Sequence, residues 1–155
     1  MDPVADLMHA AAEGAALTLL VRYEGVLVEQ VPASPLVPDA PLLALLRRVA
    51  RREATRLHLL TAAPAALCDD WFDDTGVIVH ADDGAPAGMT TLLARVLADS
   101  PNARLVVIGT TLLDEALFAL VRAPHVTARV GSGATAAEAR LEDTSTVRGL
   151  LGALC

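Results

Sequence analysis

Five short apolar runs, each followed or preceded by a stretch of helix length, constrain this chain more than any other feature. They are Ala16 to Val21 (ALTLLV), Arg56 to Leu60 (RLHLL), Gly76 to His80 (GVIVH), Arg104 to Ile108 (RLVVI) and Val126 to Val130 (VTARV). Runs this short and this apolar read as strands buried on both faces. Between them lie helical patterns at 41–52, 64–70, 89–98 and 112–122, with a leading Ala-rich helix within 4–16 and a closing one near 145–154 capped by Thr144 or Ser145. Strand and helix in alternation predict an α/β fold of three layers, Rossmann-like, with a parallel sheet of about five strands and right-handed crossovers. Its sites should lie beyond the carboxyl ends of the strands. Prolines 32, 35, 38 and 41 favour an extended, polyproline-like connection until Pro41 serves as the first turn of a helix. Residues 84–88 read as a turn-rich connection. No repeat or linker divides the chain, so 1–155 is read as a single domain, long enough to bury a core without disulfide or metal support.

Composition narrows the chemistry. The chain is 54% hydrophobic but only 3% aromatic, so Leu, Val and Ala must build its core. A net charge of -7 and so few rings speak against nucleic acid as a partner. All 12 basic residues are arginine; without lysine, a Schiff base and a P-loop ammonium are both excluded. Cys68 and Cys155 have no metal-ligand or redox spacing, the acidic start lacks a signal peptide's positive region, and no run approaches a membrane span. The expectation is a reduced, cytoplasmic protein without membrane contact.

The strand ends carry the motifs. After the first strand stands R-Y-E-G-V-L at 22–27, after the second T-A-A at 61–63, and after the fourth G-T-T-L-L-D-E-A-L-F at 109–118. Their order resembles that of the trehalose-6-phosphate phosphatases of the haloacid dehalogenase (HAD) superfamily, where the corresponding segments read D-Y-D-G-T-L, S-G-R and G-D-D-x-T-D-E-x-x-F. Ala128 to Gly131, Thr135 to Ala137, Leu141 to Asp143 and the Leu-rich end extend the likeness over about 17–154. The resemblance implies a HAD core, and here one with no cap domain: only 81–87 stand where the family inserts a cap that contributes sugar specificity.

The departures from the family pattern fall on its chemistry. The resemblance places Arg22 where the family has its nucleophilic Asp, and a guanidinium has no lone pair with which to attack phosphorus. Glu24 keeps a carboxylate at the acid/base position. Thr110 and Thr111 replace the Asp pair that helps bind magnesium, while Asp114 and Glu115 survive at the outer part of that motif. The family's lysine would fall near Ala87-Gly88. Taken together, Arg22, Glu24, Thr61, Thr110, Thr111, Asp114 and Glu115 form a degenerate motif set with no catalytic residue, no metal and no cofactor. Arg22 is read either as a cation that replaces magnesium and neutralises Glu24 or Asp114, or as part of an anion site with Thr61, Thr110 and Thr111.

The function implied is an inactive phosphatase-like domain that binds, scaffolds or regulates a protein partner or a second copy in trehalose or sugar-phosphate metabolism. The alternatives are a sensor of a phosphorylated sugar and a phosphatase with residual or altered hydrolase activity. Three further features have plainer readings. His58 and His80 are expected to be packed or edge residues rather than metal ligands, Gly131-Ser132-Gly133 a turn rather than a phosphate loop, and Trp71-Phe72 a core anchor, with an exposed hot spot as the alternative. The arginines at 47, 48, 51 and 52 and the aspartates at 69, 70, 73 and 74 read as solvated faces able to steer association.

Overall fold

The computed structural model describes residues 3–29, 36–81, 84–122 and 124–155. Pro32 and Pro35 lie outside them; Pro38 and Pro41 lie within. The order is α1 (Pro3–Ala12), β1 (Leu17–Arg22), α2 (Ala40–Arg51), β2 (Thr55–Thr61), α3 (Ala65–Trp71), β3 (Ile78–Ala81), α4 (Pro86–Asp99), β4 (Arg104–Gly109), α5 (Leu112–Leu120), β5 (Val126–Val130), β6 (Ala139–Leu141) and α6 (Thr144–Ala153). The sheet is wholly parallel in the order β3-β2-β1-β4-β5-β6. It therefore has six strands rather than five. β6 escapes a reading of apolar runs because it is three residues, Ala-Arg-Leu, with one of them fully buried.

Leu17 to Arg22 are all buried, as a central strand covered on both faces requires. One layer packs α1, α2, α3 and α6 against the sheet through residues such as Leu7, Leu46, Phe72 and Leu151. The other packs α4 and α5 through Met89, Leu92, Val96, Leu117 and Phe118 against Leu20, Leu60, Leu105 and Val107. Phe72 is buried, and with the half-buried Trp71 it packs around Tyr23 at ring-centroid distances of 5.4 and 6.1 Å, so this pair anchors the core.

Two helix starts differ from expectation. α6 is capped by Asp143, whose carboxylate accepts from the Thr146 amide at 2.8 Å; in a D-T-S-T run every residue can cap, and packing selects the first. α4 begins at Pro86, inside the stretch read as a turn, because proline is compatible with a helix's first positions. Four residues, 82–85, separate β3 from α4, which leaves no room for a cap domain.

Arg52 is no solvated charge. It closes α2 by donating from Nε to the Leu154 carbonyl (3.0 Å), from Nη2 to the Ala11 carbonyl (2.6 Å) and from Nη1 to the Thr55 hydroxyl (2.7 Å). One guanidinium thus ties α1, β2 and the chain's end together, whereas Arg48 and Arg51 remain exposed.

Candidate functional site

Chain direction in the sheet order reverses between β1 and β4: the strands after β1 build outward to one side, and those after β4 to the other. The loops leaving these two strands diverge there, which opens the crevice where ligands of such folds are held. Arg22 closes β1 and Gly109 closes β4, so both face this crevice.

Beyond Arg22 the chain turns at once. The Gly25 amide donates to the Val28 carbonyl at 2.8 Å, and Gly25 adopts φ +78°, a conformation glycine takes without steric cost. Tyr23 is fully buried, with its hydroxyl donating to the Leu36 carbonyl at 2.6 Å. Burial and the neighbouring Glu24 and Asp39 carboxylates push its pKa well above the usual phenol range.

The centre of the crevice is an ion pair. Arg22 (3% exposed) donates from Nη2 to Asp114 Oδ1 at 2.8 Å and from Nε to the same carboxylate at 3.0–3.1 Å; Asp114 is 1% exposed. Of the two carboxylates weighed as its partner, Asp114 holds it side-on through two N–H groups. Asp114 reaches the crevice from the first turn of α5. Its Oδ2 accepts the Thr110 and Thr111 amides at 2.9 and 3.0 Å, while the Thr111 hydroxyl accepts the Asp114 amide at 3.1 Å. This is a capping box, and the T-x-x-D spacing of residues 111–114 was the sequence signal for it. One carboxylate therefore receives four N–H groups.

Gly109 makes that approach feasible. A Cβ placed there would lie 2.7 Å from Asp114 Cβ, Cγ and Oδ2. Sequence reasoning passed over this glycine, although its position at a strand end before the capping box was the available cue.

The remaining motif residues divide between separate networks. Glu24 Oε2 accepts the Thr61 hydroxyl at 2.9 Å and the Ala62 amide at 3.0 Å, and the Thr61 hydroxyl also accepts the Ala63 amide. Thr61 thus satisfies backbone at a strand end and also fixes Glu24. The Thr110 hydroxyl donates to the Val130 carbonyl at 2.8 Å, and the Thr111 hydroxyl serves the cap. Glu115 turns away from the crevice. It receives Arg129 at 3.1 Å, the Thr135 hydroxyl at 2.7 Å and the Ala136 amide at 2.8 Å. Burial pushes its pKa up, but these donors outweigh burial and hold it below the usual carboxylate range.

Divalent magnesium calls for several charged or carbonyl oxygens in octahedral array. Here a guanidinium fills the end of β1, the Asp114 oxygens are committed to N–H donors, and neutral hydroxyls follow β4. The donor set does not suit that ion. Among the described residues no group of three or more His, Cys, Asp or Glu could hold a metal. The Gly131-Ser132-Gly133 segment is a bend whose Gly131 and Gly133 carbonyls accept the Arg140 guanidinium, in keeping with a turn.

No family model and no curated protein matches the sequence. Its fold, however, is that of HAD-type phosphatases. A deoxy-D-mannose-octulosonate 8-phosphate phosphatase from Haemophilus influenzae aligns at TM-score 0.66 and 12% identity over 93% of this chain and 89% of its own. Among HAD-fold structures the likeness extends to trehalose-6-phosphate phosphatases. That of Aspergillus fumigatus aligns at TM-score 0.77 and 12% identity over 97% of each chain, and the C-terminal domain of the C. albicans enzyme at 0.71 and 13% over 97% of this chain and 96% of its own. No helix among the described residues is long and apolar enough to cross a membrane.

Proposed function

We propose that this chain is a catalytically inactive, trehalose-phosphatase-like domain that works by binding, as a scaffold or regulator of a protein partner in sugar-phosphate metabolism. The observation that carries the reading is the buried Arg22–Asp114 pair at the carboxyl end of β1. In the enzymes this sequence resembles, that strand end presents a carboxylate that attacks phosphorus. A guanidinium there, held side-on by Asp114, offers neither a nucleophile nor a metal ligand. It supplies positive charge that a metal would otherwise supply, and the capping box of α5 keeps the charge fixed.

The crevice mouth supports a macromolecular partner. Val37 and Leu112, 67% and 90% exposed, precede α2 and open α5. Helix N-termini lie at the carboxyl ends of the strands in a parallel α/β sheet, so both apolar side chains flank the crevice rim. With only residues 82–85 between β3 and α4, no cap domain inserted there covers them among the described residues. Val37 and Leu112 are the apolar points through which a partner would dock on this rim.

Two measurements test the reading. The purified protein should not hydrolyse trehalose 6-phosphate or an aryl phosphate above background with magnesium present; turnover near ~1 s⁻¹, ordinary for enzymes, would overturn it. Light scattering at ~100 μM should reveal self-association, or affinity capture from the native cell should recover a sugar-phosphate enzyme, with Leu112→Ser and Val37→Ser weakening the contact. A monomer that captures no such enzyme leaves the binding role without support.

A further inference from the structure

A second site lies away from the crevice, on the flank of the sheet where α4 leaves β3 uncovered. α4 presents Met89, Leu92, Leu93 and Val96 to the centre of the sheet. Its neighbouring stripe, Gly88, Leu92, Arg95 and Asp99 at helical spacing, overhangs the β3 edge. Between that stripe and Val79, His80 and Ala81 lies a cavity of about 480 Å³, also lined by Thr91, within the usual range for small-molecule sites.

Among the described residues that line the cavity, the one charged group is a cation. Arg95 lines it and has no ion-pair partner among the described residues, and His80 lines it from the strand. The first turn of α4 adds the partial positive charge of a helix N-terminus at Gly88 and Met89. Behind His80 stand a second imidazole and a carboxylate. His80 Nε2 is 2.9 Å from His58 Nδ1 with the rings stacked at 15°, and His58 Nε2 is 3.3 Å from Asp99 Oδ2. Among the described residues the carboxylate beside this pair, Asp99, is already held by Arg56 through two hydrogen bonds of 3.0 Å.

We propose that this cavity binds a small organic anion, its acidic group between Arg95 and His80 and its apolar part on Val79, Met89 and Leu92, and that binding draws a proton onto the His58–His80 pair. Without a ligand both rings are neutral at pH 7. His80 is pushed down to about 4 by burial and by the facing His58 and Arg95, against the weaker pull of Asp99; His58 is pushed down by burial and Arg56, with Asp99 opposing. An anion within ~4–6 Å of His80 reverses part of that balance, by roughly 1–3 pH units, and Asp99 stabilises the proton's other end. The site stands independently of the function assigned to the crevice, with which it shares no residue.

Benzenesulfonate, whose charge is constant from pH 5 to 8, serves as the probe, so that any pH dependence belongs to the protein. Titration followed by backbone amide and imidazole NMR should move the signals of 79–81 and 88–95 and leave those of 22 and 109–111 in place. A rise of about two units in the pair's pKa makes binding roughly fourfold tighter at pH 5.5 than at pH 7.5. Arg95→Gln, an exposed position that folding tolerates, should abolish binding at both pH values, and His80→Gln should leave weak binding without pH dependence. Equal affinity in Arg95→Gln, pH-independent binding by the unaltered protein, or shifts confined to the crevice would each overturn the proposal.

Discussion

Replacing Arg22 with methionine isolates the interaction on which the crevice depends. The variant keeps the unbranched apolar stem of the side chain but leaves Asp114 buried without its guanidinium partner. Removing one member of a buried ion pair costs about 3–5 kcal/mol, because the remaining charge is shielded neither by water nor by a counter-charge. Both side chains are at most 2% exposed, which places this pair at the buried end of the scale. In a chain of 155 residues that loss lowers Tm by roughly 6–20 °C. Asp114→Asn is the complementary change: it removes the charge yet leaves an acceptor for the Thr110 and Thr111 amides. Each single variant strands a buried charge and the double variant strands none, so Arg22→Met/Asp114→Asn should be no less stable than the worse single, with a coupling energy of at least ~2 kcal/mol. Urea unfolding followed by the fluorescence of Trp71, the only tryptophan, measures all three with a common m-value. If Arg22→Met does not fold, Arg22→Lys, which keeps the charge but not the two-point geometry, should lose about 1–3 kcal/mol. Additive single effects, or an Arg22→Met cost under ~1 kcal/mol, would refute the structural role assigned to the pair.

Gly109→Ala forces a methyl group against Asp114 and should cost about 1–3 kcal/mol, read from the same urea curves. Millimolar magnesium should leave Tm within error in a thermal-shift assay, because the crevice lacks the oxygen donors that ion needs. Asp143→Ala should remove the cap of α6 at a cost of ~1 kcal/mol, visible as a lower urea midpoint. His58 and His80 have folded-state pKa values below the unfolded value of 6.5, so the unfolded chain binds more protons between pH 6.5 and about 4 and stability falls through that window on acidification. His80→Phe should flatten this slope, which unfolding at pH 7 and pH 4.5 would reveal.

Strands β1, β4 and β5 were legible because short, largely apolar runs between helical stretches have one good solution in a two-sided sheet. β6 was not, since Ala139, Arg140 and Leu141 become a strand only by lying beside β5. The residues of the crevice were legible as a set from their places at strand ends, but their partners were not. Arg22 faced two candidate carboxylates 2 and 92 positions away in the sequence, and the choice depends on Gly109 lacking a side chain and on a helix cap that swings Asp114 inward. Arg52 was hidden in a basic run of helical periodicity; nothing local distinguishes it from Arg48, and its role arises from carbonyls 41 and 102 residues distant. Glu115 was grouped with Asp114 by adjacency, yet neighbours on a helix point about 100° apart, and it serves the β5 side instead.

The sheet closes at each side on its shortest strands, four residues in β3 and three in β6, flanking neighbours of five to seven. A short border offers an approaching molecule few free amides and carbonyls, and His80 and Arg140 lie on these borders. The inner strands are rich in leucine and valine, and each carries a single arginine, Arg22, Arg56, Arg104 and Arg129, whose charge works against assembly of these segments when they are exposed. Fraying of β3 or β6, a local event far smaller than global unfolding, is the opening that would uncover the longer strands beside them.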